Sequence, residues 1–564
     1  MSRPDWIVLV LTLLGIIAYG LYKGRTSRDL DGYFLANRMV PWYMVLLGIM
    51  GTQASAVTFL SAPGQAYTDG MRFVQYYFGL PLAMVVLCIT FVPAFHRLKI
   101  YTAYEFLEQR FDLKTRTLTS FLFLLQRGLS TGISISAPSI ILSSLLGWDI
   151  IWTNIFMGGL LIIYTMTGGA KAVAYTQQLQ LIIIFAGMFI AGYMVIHRLP
   201  EGVGITEALH IGGKAGKLNI ITTGISSKGF DWNDRYNLFS GIIGGFFLAL
   251  SYFGTDQSQV GRYLTARSVS ESRLGLLMNG LVKVPMQFLI LLLGVLVFSF
   301  YQFNREPVFF NQSQIDLLAG SKYKDSLTVL QKAYDSTEAV RIRSRGVPEL
   351  QQQFKVAETE KAGYRATVKR WLKDKDVGGD DNDTNYIFLR FVLDYLPKGL
   401  VGLLIAVIFL AAWGSIAATL NSLSSCTIVD FHKRYARPMN KEKEYRLSRL
   451  YTLFWGIFCV AVAQLAYNLG NSLIEAVNVL GSLFYGVILG IFLVAFYRKR
   501  VGATAVFISA IIVEAGVIFL NILSRKGIVP LSFLWFNVVG AIGVILLSEM
   551  IQFIKNRLVR QGGS

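Results

Sequence analysis

Residues 50–64 read Met-Gly-Thr-Gln-Ala-Ser-Ala-Val-Thr-Phe-Leu-Ser-Ala-Pro-Gly and fall within an apolar run at about 41–62. Gln53 and its small neighbours weaken a helix there, and in lipid every freed carbonyl needs another partner. Transporters use such unwound carbonyls, near the middle of the bilayer, to bind a dehydrated cation. The runs around Gly241–Gly245 and Ala411–Ser422 share these features. Close helix packing explains any one of them, but the three together favour interrupted helices and a transporter.

Apolar runs recur along almost the whole chain of 564 residues, of which 54% are hydrophobic and 15% charged. Soluble domains carry about 25% charged residues, so a soluble enzyme, a disordered protein and a nucleic-acid binder are excluded. A membrane helix needs roughly 20 apolar residues. We therefore predict an all-α polytopic membrane protein, embedded in the lipid bilayer, with about 13 transmembrane helices. The runs lie at about 6–22, 41–62, 73–95, 117–147, 150–167, 177–196, 237–254, 274–301, 394–429, 447–468, 473–496, 502–522 and 529–553.

The net charge of +19 indicates membrane orientation and not a nucleic-acid partner. The polar stretch 305–383 is nearly neutral, with 14 Lys and Arg against 13 Asp and Glu. The remaining basic excess lies in short loops on one side of the predicted membrane, which the positive-inside rule assigns to the cytoplasm. We expect a multi-pass protein of the plasma (cell inner) membrane, with an external N-terminus, a cytoplasmic C-terminus and no cleavable signal peptide.

One substantial polar insertion, at about 302–393, separates the eighth and ninth runs. Segments 325–340 and 348–371 mix apolar and charged residues at helical spacing, which predicts an external helical cap or hairpin. It serves as a solvated lid or as a docking surface for a partner. No nucleophile–base or metal-ligand array is present in the sequence, so we expect a transporter and not an enzyme.

Two motifs resemble signatures of the sodium/solute symporter family: Gly168-Gly-Ala-Lys-Ala-Val-Ala-Tyr-Thr-Gln177 and Gly254-Thr-Asp-Gln-Ser-Gln-Val-Gly-Arg-Tyr-Leu-Thr-Ala-Arg-Ser268. The stretches 55–63, 104–111 and 131–138 are most similar to the branch that carries monocarboxylates, vitamins and iodide. The resemblance covers about residues 5–500. It implies two inverted five-helix repeats (LeuT-like) with extra flanking helices. The implied parts are an N-terminal helix and loop (1–40), a first repeat (41–196), an external loop (197–236), the start of the second repeat (237–301), the insertion (302–393), the rest of the second repeat (394–496) and two C-terminal helices with a short cytoplasmic tail (497–564).

The resemblance also implies a sodium site between the second and ninth runs. Na⁺ prefers oxygen ligands, and the family's ligands fall on the carbonyls of Gly51, Ala54 and Ala411 and on the hydroxyl positions Gly414 and Ser415. Gly414 departs from the pattern, because glycine offers no hydroxyl. Sodium coupling is therefore expected with one oxygen fewer, and proton-coupled or uncoupled transport stays open.

Some relatives hold a second sodium with an Asp in the fifth helix and further hydroxyls in the ninth run. This chain has Gln177 at the first position and Ala417 and Ala418 at the others. An amide lacks the formal charge that offsets dehydration of a cation. We expect at most one sodium ion per turnover.

By the same resemblance, the solute binds beside Gln53, Ser55, Thr58, Tyr77, Phe253 and Lys283. A lysine within an apolar run is costly unless it pairs or lines a cavity, although Lys283 could also extend towards the cytoplasmic surface. The acidic partner that hexose carriers use for sugar hydroxyls is absent, while a cation remains. A small organic anion such as a monocarboxylate therefore fits better than a sugar, and a transporter-derived sensor is the remaining alternative.

Overall fold

The computed structural model describes residues 1–23, 35, 38–227, 229–436, 439–466 and 473–561, without the side chains of residues 21, 23, 167–172, 174, 466, 559 and 560. Most of the predicted loop before residue 40 and the last three residues of the predicted tail lie outside this description. So do several side chains of the first signature motif, at 168–172 and 174.

Up to the insertion the described chain is almost entirely helical. Its elements are α1 (Arg3–Lys23), α2 (Trp42–Gln53), α3 (Ala56–Asp69), a 3₁₀ segment (Met71–Tyr77), α4 (Leu80–Ile89), α5 (Phe91–Leu98), α6 (Glu105–Arg110), α7 (Leu113–Leu146), α8 (Ile150–His197), α9 (Ile205–Lys214), β1 (Ile225–Ser226), β2 (Gly229–Phe230), a π-helical segment (Ser240–Gly244), α10 (Gly245–Thr255), α11 (Gln257–Leu264) and α12 (Val269–Tyr301).

The second half continues in the same way. Its elements are α13 (Gln312–Ala319), α14 (Lys324–Ser344), α15 (Gln351–Leu372), α16 (Ile387–Tyr395), α17 (Leu400–Cys426), a π-helical segment (Thr427–His432), α18 (Lys433–Tyr435), α19 (Lys441–Ala466), α20 (Leu473–Tyr497), α21 (Ala503–Arg525) and α22 (Leu534–Gln561). Short 3₁₀ turns at Pro348–Leu350 and Thr384–Tyr386 interrupt the insertion.

Within the described residues, 10 helices are long and apolar enough to cross a membrane, or 11 if the bent pair α2–α3 counts as one span. Two shorter apolar segments, Ile150–Met166 and Ser240–Thr255, accompany them. The first of these lies in α8, which has 48 residues. A straight helix of that length would be about 72 Å long, whereas the hydrocarbon core is about 30 Å thick. The all-α multi-pass fold is confirmed, and the count of 13 spans stays a prediction.

The second apolar run is broken as the sequence predicts. Helices α2 and α3 meet at an angle of 61°, with Ala54 and Ser55 in non-helical conformations between them. Pro63 lies inside α3, and the helix nevertheless continues to Asp69. In the seventh run the expected interruption around Gly241–Gly245 is absent, because the π-helical segment leads directly into α10. The helix breaks only after this run, at Asp256, which is extended and caps α11 through its side chain.

The expectation of an interruption in the ninth run is wrong, because α17 is continuous from Leu400 to Cys426. Its hydroxyls donate to carbonyls of the preceding turn: Ser415 Oγ to the carbonyl of Ala411 (3.0 Å) and Thr419 Oγ1 to that of Ser415 (2.9 Å). Such local bonds can bend a helix, but here they leave the backbone pattern intact. The polar side chains of α17 are thus presented by a regular scaffold.

The insertion forms the predicted helical hairpin, α14 and α15, with α13 beside it. These helices share a small apolar core of their own, separate from the core of the membrane helices. The segment that returns from the hairpin packs on α3: Ser61 Oγ donates to Asn385 Oδ1 (2.7 Å). A Cβ on Gly64 would lie 1.9 Å from the carbonyl oxygen of Thr384, so glycine is required at this contact.

Candidate functional site

A cavity of about 110 Å³ lies next to the break between α2 and α3. Five of the six residues predicted to bind solute line it, namely Gln53, Ser55, Thr58, Tyr77 and Phe253. The full lining consists of Gln53, Ser55, Val57, Thr58, Tyr76, Tyr77, Leu80, Gln126, Arg127, Ser134, Gly245, Leu248, Ala249, Tyr252, Phe253, Ile474, Val477, Asn478, Gly481 and Tyr485. The broken helix, α7, α10 and α20 therefore meet around one mostly apolar space with a few polar groups, as small-molecule sites do.

Arg127 is a cavity residue that the sequence reasoning missed. Its side chain lies on α7, is buried, and places the guanidinium carbon 5.5 Å from the centroid of the Tyr252 ring. Its Nε lies 3.5 Å from Asp256 Oδ2 but forms no hydrogen bond within the described part of the chain, and Nη2 donates to Thr419 Oγ1 (3.4 Å). An arginine inside an apolar run is a functional signal, so the argument applied to Lys283 would have found it.

The carboxylate that faces Arg127 already has other partners. Asp256 accepts hydrogen bonds from the amide of Ser258 (2.8 Å), its hydroxyl (2.6 Å) and the Tyr485 hydroxyl (2.7 Å). These bonds hold the carboxylate at the N-terminus of α11, in agreement with a structural role for this motif. Arg127 thus lines the cavity with a guanidinium whose Nε has no hydrogen-bond acceptor among the described residues.

Lys283 does not line the cavity in this structure. Its side chain is 0% exposed, so it does not extend to the cytoplasmic surface, and Nζ lies 5.4 Å from the centroid of the Tyr77 ring. Nζ has no hydrogen-bond partner among the described residues, and the same holds for the side-chain polar atoms of Asn279 and Gln287, one turn away on either side. Tyr77 itself lines the cavity, so Lys283 is next to a lining residue without being one. The role of Lys283 in solute binding stays a prediction.

The residues of the predicted sodium site lie around the contact of α2, α8 and α17. The Gln177 side chain runs between these helices, and its Nε2 donates to the carbonyl of Gly414 (2.9 Å) and to Thr52 Oγ1 (3.3 Å). A Cβ on Gly51 would lie 3.1 Å from Gln177 Cβ. A Cβ on Gly414 would lie 2.6 Å from Gln180 Oε1 and 3.2 Å from Gln177 Cγ. The two glycines therefore make room for glutamine side chains, which explains the missing hydroxyl at 414.

The other predicted ligands on α17 are partly engaged. Ser415 Oγ donates to the carbonyls of Ala411 (3.0 Å) and Ala412 (3.1 Å), which leaves its lone pairs free to accept. The carbonyls of Gly51 and Ala54 flank the helix break. This arrangement can present oxygens to a hard cation, the class of ligand that Na⁺ prefers.

A second, smaller cavity of about 70 Å³ adjoins the first. It is lined by Thr52, Gln53, Ser55, Arg127, Ser130, Thr131, Ser134, Tyr252, Ser415, Ile416, Thr419 and Val477. Gln53, Ser55, Arg127 and Ser134 belong to both linings, so the two spaces share a wall beside the helix break.

Comparison with known proteins gives consistent matches over the whole length. The profile of the sodium:solute symporter family matches residues 33–315 and 365–513, and its gap covers much of the hairpin. The sodium/sialic acid symporter of Aliivibrio fischeri is 23% identical over 97% of this chain and 92% of its own length. Sodium-coupled monocarboxylate transporter 1 of Xenopus laevis is 25% identical over 86% of this chain and 67% of its own. The solved structure of a sodium-coupled sialic acid symporter, outward-open with substrate, superposes with a TM-score of 0.75 at 22% identity, covering 98% of both chains.

Proposed function

The chain belongs to the sodium:solute symporter family, and we propose that the solute it carries is an anion bound by Arg127. It is a multi-pass membrane transporter, not an enzyme, and it couples sodium to the movement of a small organic solute.

The position of Arg127 carries the proposal of an anionic solute. A guanidinium presents its donors as a planar fork that matches a carboxylate, and charge-assisted bonds of this kind are stronger than neutral ones. At 4 Å and an effective dielectric constant near 20, opposite unit charges attract by about 4 kcal/mol. Asp256 is already held by Ser258 and Tyr485, so an incoming carboxylate can take the free edge of the guanidinium.

The names of two relatives agree with this chemistry. The proteins matched from Aliivibrio fischeri and Xenopus laevis are named for sialic acid and for monocarboxylates, respectively. Both are carboxylic acids that are ionised at neutral pH. The cavity of about 110 Å³ also favours a small solute.

The test is sodium-driven uptake of labelled carboxylic acids into proteoliposomes, compared with uptake of the neutral amide of each acid. Arg127→Gln should weaken the apparent affinity for the acid roughly 10- to 150-fold, the equivalent of about 1.5–3 kcal/mol, and should leave the amide unaffected. Arg127→Lys should recover part of the loss, because lysine keeps the charge without the fork. Equal loss for acid and amide would assign Arg127 to structure alone, and unchanged acid uptake would refute the proposal.

For the coupling ion, we propose that one Na⁺ is held by the carbonyls of Gly51, Ala54 and Ala411 and by the hydroxyl of Ser415. The non-helical residues between α2 and α3 support this assignment, since they free carbonyls close to α17. Gly414 contributes no side-chain oxygen, and its carbonyl is engaged by Gln177.

We further propose that the chain lies in the cell membrane with an external N-terminus, an external insertion and a cytoplasmic C-terminus. The supporting observation is the basic excess in the loops opposite the nearly neutral stretch 305–383. A partner at the 302–393 insertion stays a prediction.

A further inference from the structure

The smaller cavity has an unusual chemical lining, because seven of its side chains belong to serine or threonine. They come from the helix break (Thr52 and Ser55), from α7 (Ser130, Thr131 and Ser134) and from α17 (Ser415 and Thr419). Small residues often allow close contact of membrane helices. Here the helices enclose about 70 Å³ of space instead, so packing alone does not account for the cluster.

Most of these hydroxyl hydrogens are already used. On α7, Thr131 Oγ1 and Ser130 Oγ donate to the carbonyl of Arg127 (2.7 and 3.3 Å), and Ser134 Oγ donates to that of Ser130 (2.9 Å). Ser415 and Thr419 donate to carbonyls of α17 in the same way. Thr52 Oγ1 donates to the carbonyl of Gly48 (2.8 Å).

A hydroxyl that donates to its own helix turns its lone pairs outward. The serine and threonine hydroxyls that donate to their own helices therefore offer acceptors, while Arg127, Gln53 and Tyr252 add donor groups to the same lining. A hydroxyl group suits this mixture, because it can both donate and accept a hydrogen bond. A metal ion or ammonium group would also be attracted by lone pairs, and Ser415, on the α17 side of the space, is one of the proposed sodium ligands. On the α7 side, however, the guanidinium of Arg127 borders the space, and no carboxylate lines the cavity. Two like charges 4 Å apart repel by about 4 kcal/mol at an effective dielectric constant of 20. A neutral donor, a hydroxyl group, fits the site better.

We infer that the smaller cavity is a subsite for a hydroxyl group that the solute carries close to its carboxylate. This rests on the proposed function, in which Arg127 binds the carboxylate. Arg127 and Ser134 line both cavities, so one solute can place its acid group on the guanidinium and its hydroxyl among the acceptors. The preferred solute class is a hydroxy acid, in contrast to an unsubstituted monocarboxylate.

The experiment measures binding of two pairs of acids that differ only in hydroxyl groups, lactate with propanoate and gluconate with hexanoate. Purified full-length protein is titrated with each acid at saturating sodium, and the rise in its unfolding temperature gives the affinity. A single neutral hydrogen bond corresponds to a preference of roughly 2- to 13-fold, so at least one hydroxy acid should bind better than its partner by about that factor. In Thr131→Val with Ser134→Ala the preference should fall close to one.

Helix α7 provides matched controls. Thr119 Oγ1 donates to the carbonyl of Thr115 (2.8 Å) and Ser139 Oγ to that of Ile135 (3.0 Å), and both residues are buried but line neither cavity. Thr119→Val with Ser139→Ala removes the same kind of local bond from the same helix. This control should keep the preference for the hydroxy acid, so a loss of folding or of helix geometry is separated from loss of the subsite.

Three outcomes would overturn the inference. If hydroxy and unsubstituted acids bind equally while Arg127→Gln weakens both, the subsite is refuted and the proposed function stands. If the cavity variants raise the sodium concentration needed for propanoate binding, the hydroxyls serve the ion. If none of the four acids binds, or if Arg127→Gln changes none of the affinities, the anion proposal fails together with the subsite that rests on it.

Discussion

The relation between Gly414 and Gln180 gives the most specific prediction for sodium binding. Gly414→Ser would supply the hydroxyl that the predicted sodium site lacks. Its Cβ, however, would lie 2.6 Å from Gln180 Oε1 and 3.2 Å from Gln177 Cγ. Overpacking of this kind costs about 1–3 kcal/mol. We therefore expect the single variant to unfold at a lower temperature than the wild type, without a clear gain in sodium affinity.

Removing the obstructing side chain should reveal the benefit of the hydroxyl. Gln180 is buried and its Nε2 has no hydrogen-bond partner within the described residues, so Gln180→Ala breaks no bond of that nitrogen and creates space. A dipole bound to a charged group contributes about 1.5–3 kcal/mol, which is a change in affinity of roughly tenfold or more. We expect Gly414→Ser with Gln180→Ala to lower the half-saturating sodium concentration by that factor relative to Gln180→Ala alone.

The assay is solute uptake into proteoliposomes as a function of external sodium, with unfolding temperature as the check on stability. Gly414→Ala with Gln180→Ala is the matched control, since it adds the Cβ without the oxygen and should leave the sodium dependence unchanged. If the serine and alanine double variants have the same sodium dependence, Gly414 is not at the sodium site. If the single serine variant is as stable as the wild type, the steric argument is wrong.

Three further predictions test other parts of the proposal. Ser415→Ala should strongly weaken sodium dependence, and wild-type uptake should follow sodium with a Hill coefficient near one; reversal potentials that require two sodium ions per solute would contradict this. Lys283→Met removes a buried amino group that has no hydrogen-bond partner among the described residues, so the unfolding temperature should hold or rise. Uptake is lost if another transport state brings Lys283 to the solute, and unchanged uptake would remove Lys283 from the solute site. A cysteine at Gly378 of the insertion should react with an impermeant thiol reagent in intact cells, and labelling only after permeabilisation would reverse the proposed orientation.

The helix break could be predicted because its causes are local in sequence. Gln53 and the small residues around it disfavour a continuous helix in lipid, and the chain does bend there by 61°. The same reasoning failed for 411–422, where hydroxyls satisfy their own helix: Ser422 Oγ, for example, donates to the carbonyl of Ala418 (2.9 Å). A polar composition alone therefore does not show that a membrane helix unwinds.

Tertiary contacts account for what the sequence did not reveal. Gly414 looked like a missing sodium ligand, and only the packing of α8 on α17 shows that its hydrogen leaves room for Gln177 and Gln180. The guanidinium donors of Arg127 matter for the proposed solute contact because the carboxylate of Asp256, at the N-terminus of α11, is already held by Ser258 and Tyr485. Apart from the local bond between Asp256 and Ser258, these pairings join residues more than a hundred positions apart, and no spacing rule contains them.

The break between α2 and α3 also explains how sodium and solute can be coupled without touching each other. The predicted sodium ligands Gly51 and Ala54 alternate along the chain with Gln53 and Ser55, which line both cavities. Fixing the backbone of a residue costs about 1–2 kcal/mol, and the ligand that binds first bears this cost for the shared segment. The second ligand then binds to a segment that is already ordered, which gives positive cooperativity. Because such coupling is reciprocal, bound solute must lower the half-saturating sodium concentration by the same factor by which sodium raises solute affinity.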